Sequence, residues 1–136
     1  MRAWGKPAVL ALAAAASVGL SASPASAAAK VSSFSVPYGT SSVKGTVTWY
    51  ADRAVFASTE VAGDGCHVFA YVVGGSSPEQ TVRNISCNST TKRSITVKVT
   101  SPNVALVELF SFDLSGVSSS CYPSRTACDK PVVVKP

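Results

Sequence analysis

Nowhere after Ala28 does this chain hold ten residues with the 3.6-residue apolar spacing of an amphipathic helix. What recurs is a short run rich in Val, Thr, Phe and Tyr, closed by Gly, Pro, Asn or Asp. The spacing predicts strands over 31–36, 43–50, 53–61, 66–73, 79–87, 93–100 and 104–113, with an eighth over 131–135. Two of them are plain half-buried strands. Val43, Val47 and Trp49 alternate with Lys44, Thr46 and Thr48, and Ile95, Val97 and Val99 alternate with Ser94, Thr96, Lys98 and Thr100. Turns are expected at Pro37-Tyr38-Gly39, Gly63-Asp64-Gly65, Gly74 to Pro78 and Ser101-Pro102-Asn103.

Seven or eight such strands suggest an all-β domain: an antiparallel two-sheet β-sandwich, immunoglobulin-like in broad plan. A small closed barrel is the competing architecture. Trp49 precedes every cysteine, so the Cys–Trp–Cys order of true immunoglobulin domains is absent.

The N-terminus reads as an export signal. Arg2 and Lys6 supply its positive region, Ala8 to Leu20 its apolar stretch, and Ala25-Ser26-Ala27 an A-x-A cleavage site after the breaker Pro24. The apolar stretch is shorter than the ~20 residues a bilayer span needs. The expectation is a signal peptide over 1–27, cleaved after Ala27. A single secreted domain over 28–136 would follow, with no membrane anchor. The full chain carries 12 Lys and Arg against 7 Asp and Glu. Removing Arg2 and Lys6 leaves 10 against 7, too mild an excess to imply a nucleic-acid partner.

All four cysteines, Cys66, Cys87, Cys121 and Cys128, follow the signal, and an even number in an exported chain reads as two disulfides. Four cysteines allow three pairings, of which geometry favours Cys66–Cys87 and Cys121–Cys128. If a hairpin turns between Ser76 and Ser77, residues whose numbers sum to 153 lie opposite one another. Cys66 then meets Cys87, Val68 meets Ile85, Tyr71 meets Val82 and Val72 meets Thr81. Opposed Cβ atoms at about 4.5–5.5 Å are close enough to bridge. The spacings do not suit a tetrahedral metal site, and no metal or other cofactor is expected.

Which face of this hairpin is buried stays open in the sequence. The row Cys66, Val68, Ala70, Val72 and the row His67, Phe69, Tyr71, Val73 are both largely apolar. In 104–113, Glu108 favours Ala105, Val107 and Leu109 as the core row, which leaves Phe110 and Phe112 needing cover.

Catalytic patterns are not visible. His67 is the one histidine and reads as an exposed or hydrogen-bonded strand residue, with no G-x-S-x-G elbow to serve. No two of the seven carboxylates form a recognisable acid–base pair, and Gly74-Gly75 belongs to a turn, not a phosphate loop. The protein is expected not to be an enzyme.

Two features could carry binding. Cys121 to Cys128 would close an eight-residue ring presenting Tyr122, Arg125 and Thr126, either as a protease-inhibitory loop or as a structural clasp. Tyr38, Tyr50 and Tyr122 could stack on sugars, as in carbohydrate-binding modules.

The export signal over Ala3 to Ala27, the segment Gly45-Thr46-Val47-Thr48-Trp49-Tyr50, Gly65-Cys66 and the cysteine-bearing tail resemble small secreted β-sandwich proteins of actinomycete type. That resemblance implies a setting outside the cell and supplies no activity. The sequence therefore points to a monomeric extracellular binding or interaction domain. Its partner would be an unknown protein or polysaccharide, and an inhibitor of secreted proteases or glycosidases is the alternative.

Overall fold

A computed structural model describes residues 29–135. The export-signal reading of 1–27 lies outside the described residues. Seven strands are formed: β1 Lys30–Tyr38, β2 Ser41–Trp49, β3 Ala54–Gly74, β4 Gln80–Val97, β5 Val104–Phe110, β6 Gly116–Cys121 and β7 Val132–Val134. They pair antiparallel in the order β1-β2-β3-β5-β6-β7, with β4 on the remaining edge of β3. The all-β class and both disulfides, Cys66–Cys87 and Cys121–Cys128, are as expected.

The two-sheet sandwich is corrected. One hydrogen-bonded sheet runs through all seven strands and curls into a half-barrel. The cause is the hairpin of β3 and β4, which is long enough to belong to both halves. Residues 54–61 of β3 pair with β2, and residues 68–74 pair with β5, while β4 follows β3 through both stretches. The expected strands 53–61 and 66–73 are thus one strand, and 79–87 and 93–100 are largely one more.

Gly63-Asp64-Gly65 is a bulge within β3 and not a turn between strands. These three residues oppose Asn88 alone, between the pairs Ala62↔Ser89 and Cys66↔Cys87. Gly65 (φ +82°) and Asn88 (φ +45°) take the left-handed backbone that such a bulge demands, and the Gly65 N–H donates to Asn88 Oδ1 at 2.9 Å. Beyond the bulge the register is the one reached by addition, with Val68↔Ile85, Tyr71↔Val82 and Val72↔Thr81.

The bulge also reverses which residues face inward. Before it, Phe56, Ser58, Glu60 and Ala62 are buried; after it, His67, Phe69, Tyr71 and Val73 are. Ala105, Val107 and Leu109 form the core row of β5, with Val43, Val47, Trp49, Ile95, Val97 and Val99 completing the interior. His67 is therefore buried, its Nε2–H donating to the Asp64 carbonyl at 3.0 Å.

β6 falls between the expected strands 104–113 and 131–135, where the sequence pattern predicts none. Ser118-Ser119-Ser120 shows no apolar alternation, yet Val117, Ser119 and Cys121 alternate inward. Small polar residues fill this row, so hydropathy alone does not reveal it.

Candidate binding surface and disulfide clasp

The two halves of the sheet differ on their outer face. Residues paired across strands share a face, so the register lays that surface out row by row. On the half built from β1, β2 and the first part of β3, one row reads Ser35, Lys44, Thr59, Lys92 and the next Ser33, Thr46, Ala57, Ser94. Such rows are ordinary solvated surface.

On the other half, one row reads Ile85, Val68, Phe110, Gly116, Val134. The next reads Arg83, Ala70, Glu108, Ser118, Val132, and a third Thr81, Val72, Leu106, Ser120. Gly116 is required there: a Cβ at this position would collide with the Leu109 carbonyl oxygen and lie 2.8 Å from Phe110 Cδ1. A groove of about 530 Å³ crosses this face, with Val68, Phe110, Phe112, Leu114 and Val134 as its apolar walls and Arg83 and Glu108 beside them. Burial holds the Glu108 carboxyl above the usual carboxylate range, opposed by the Arg83 charge and a hydrogen bond with Ser118.

Phe112 and Leu114 stand at the end of the groove, more than 60% exposed, on the turn between β5 and β6. That turn is braced. The Ser111 N–H donates to the Ser115 carbonyl, the Leu114 N–H to the Ser111 carbonyl, and the Ser115 N–H to Asp113 Oδ1. Ser115 Oγ–H donates to Asp113 Oδ1 at 2.6 Å, so Tyr38 O–H donates to Ser115 Oγ at 2.9 Å. These bonds hold the exposed Asp113 carboxyl below its ordinary range. Leu114 sits at φ +69°, a backbone state costly for a leucine, with its side chain in solvent. Phe112 thus stays without cover, although Val134 lies along the same groove.

The 121–128 ring is docked. Ser33 N–H donates to the Thr126 carbonyl and Cys128 N–H to the Ser33 carbonyl, both at 2.8 Å, as a parallel bridge along the edge of β1. Asp129 N–H donates to the Ser120 carbonyl, and Ser119 Oγ to the Asp129 carbonyl. The C-terminal arm of the ring, with Asp129 after it, thus links β6 to β1. Ser32 Oγ lies 2.6 Å from the Arg125 carbonyl oxygen and 2.9 Å from that of Tyr122, donating to this pair while accepting from Trp49 Nε1–H at 3.0 Å. The Arg125 side chain is exposed, pairs with Asp129 and lies over the Tyr122 ring, and the Thr126 side chain is exposed. Tyr50, the exposed tyrosine, has the Arg53 guanidinium 4.0 Å over its ring centre, and Tyr38 is half-buried.

The buried polar cluster at the bend was not anticipated. Glu60 is fully buried and accepts Arg93 Nε–H at 2.6 Å and Tyr71 O–H at 2.6 Å, while Ser58 O–H donates to Tyr71 at 2.7 Å. Ser86 and Asn84 add longer contacts to the same carboxylate. Burial first, then the Glu60 hydrogen bond, push the Tyr71 phenol well above its ordinary range. The alternation Phe56, Ser58, Glu60 was a usable signal, since it puts Glu60 on the face of Phe56. The buried oxygens of Glu60, Tyr71 and Ser58 all find partners within the cluster, which ties the two halves together. A smaller polar hollow of about 280 Å³ lies beside Tyr38, Asp64 and His67.

No family model, curated protein or solved structure matches the chain.

Proposed function

We propose that this protein is an exported binding module of actinomycete type, without catalytic role, that makes contact through the outer face of β3, β4 and β5 and the Phe112–Leu114 turn. The observation carrying this reading is the contrast within one sheet. The outer face of one half is mainly Ser, Thr and Lys, with Val31, Val55 and Val61 set singly among them, whereas the other gathers Ile85, Val68, Phe110, Val72 and Leu106 on adjacent strands and ends in two exposed apolar side chains on a hydrogen-bonded turn. Contiguous apolar surface of this kind marks interaction sites. Two disulfides fit an oxidising compartment, and no helix among the described residues is long and apolar enough to cross a membrane.

The inhibitor reading of the ring has less support. A loop that enters a protease cleft offers a free carbonyl at the scissile position, and that of Arg125 is already engaged by Ser32. Sugar stacking on Tyr50 would first displace Arg53. The test compares wild type, Phe112→Ser with Leu114→Ser, and Arg125→Ala. The probes are immobilised culture-supernatant proteins, insoluble cellulose and chitin, and a panel of trypsin-like and subtilisin-like proteases. Retention lost only in the Phe112/Leu114 variant supports the surface. Protease inhibition lost only in Arg125→Ala overturns it.

A further inference from the structure

Beyond the bulge, the outer face of β3, β4 and β5 sets opposite charges symmetrically about β3. Ala70, a fully buried residue with a small side chain, is paired on one side with Arg83 of β4 and on the other with Glu108 of β5. A cation and an anion thus flank a central small residue at equal distance, one strand spacing of about 4.8 Å each. Among the described residues the ion pairs are Asp52–Arg53, Glu60–Arg93 and Arg125–Asp129, and neither Arg83 nor Glu108 belongs to one.

From this symmetry we propose that the partner of the surface is a second copy of the chain, packed face to face about a two-fold axis running along β3 over Ala70. The inference rests on the surface reading given above. Such an axis exchanges the strands on either side of β3. It sets Arg83 of each copy over Glu108 of the other, Ile85 over Phe110, and Val68 and Val72 over their own equivalents. On these three strands each charge then meets its opposite, Ile85 meets Phe110, and Leu106 packs on the aliphatic part of Thr81. A two-fold interface requires this, since the same patch serves both subunits. No other strand of this face gives that result: an axis over β5 would set Glu108 against Glu108. The copies pack as aligned sheets, with mean strand directions within about 30°. Three overlapping strands of seven residues cover roughly 330 Å² per copy. That is well under the ~800 Å² of a standard interface, so association is weak and reversible. The monomer expected from the sequence becomes the dilute form.

Sedimentation of the protein purified from culture supernatant, across a concentration series up to about a millimolar, tests this, with circular dichroism confirming that each variant folds. Wild type should dimerise. Arg83→Glu and Glu108→Arg should each associate at least tenfold more weakly, because each sets like charges together. An equimolar mixture of the two single variants should recover a heterodimer, and the double variant Arg83→Glu with Glu108→Arg should recover the homodimer. If either charge variant fails to fold, Ile85→Lys on the exposed edge should weaken association in its place. A wild type that stays monomeric, or a mixture that does not re-associate, overturns the second-copy proposal. In that event, loss of retention in the Phe112/Leu114 variant would still leave the surface reading standing.

Discussion

At Glu60 a single side chain decides how the two halves of the molecule meet. A fully buried carboxylate is tolerated only when its charge and lone pairs are met, and Arg93, Tyr71, Ser86 and Asn84 meet them. Glu60→Ala strands the Arg93 guanidinium and the Tyr71 hydroxyl, and should cost about 3 kcal/mol, near the low end for a broken buried pair because Arg93 retains some solvent. Urea unfolding at neutral pH reads that loss. The Tyr71 phenol predicts a pH dependence. Its folded pKa is raised, so the stability it contributes is fully present below the unfolded value of about 10 and is lost as pH rises above it. Between pH 8 and 11 the wild-type urea midpoint should fall more steeply than that of Tyr71→Phe. Parallel curves would show that this phenol does not titrate with unfolding.

At the scale of the element, the bulge in β3 governs the rest. Gly65 has open space where a Cβ would go, so Gly65→Ala tests backbone strain alone and should cost about 1–2 kcal/mol through its left-handed φ. Removing the neighbouring disulfide with Cys66→Ala and Cys87→Ala should cost about 3 kcal/mol on the chain-entropy account, read by the same unfolding curves. The hairpin beyond the bulge was legible because one turn and one cysteine pair fix the same register. The bulge itself was not, since Gly-Asp-Gly encodes a turn as readily as three residues opposed to one. Missing it broke two long strands into four and made the buried face of 66–73 undecidable, because the inward phase passes from even to odd numbers across it. The candidate surface shared that fate. Phe110 and Phe112 stood out as apolar residues without cover, but their joining with Val68 and Ile85 depends on strand pairing that no single strand reveals.

At the scale of the molecule, a sheet that curls without closing has free edges, and each is managed differently. β7 is three residues long, β4 carries Arg83, Lys92 and Arg93, and the edge of β1 is covered by the ring. The ring therefore acts on the whole fold, since it joins the first strand to the segment after β6. Its disulfide spans eight residues and is worth roughly 2.5 kcal/mol by loop entropy alone. Opening it also frees the carbonyls bound by Ser32 and exposes the Trp49 indole that the same hydroxyl accepts from. In a Trp4→Phe background Trp49 reports alone. Cys121→Ser with Cys128→Ser should shift its emission to longer wavelength, and Ser32→Ala should reproduce part of that shift with both disulfides intact. A ring that served only to present Arg125 would open with the Trp49 emission unmoved, and the half-barrel would then owe nothing to its clasp.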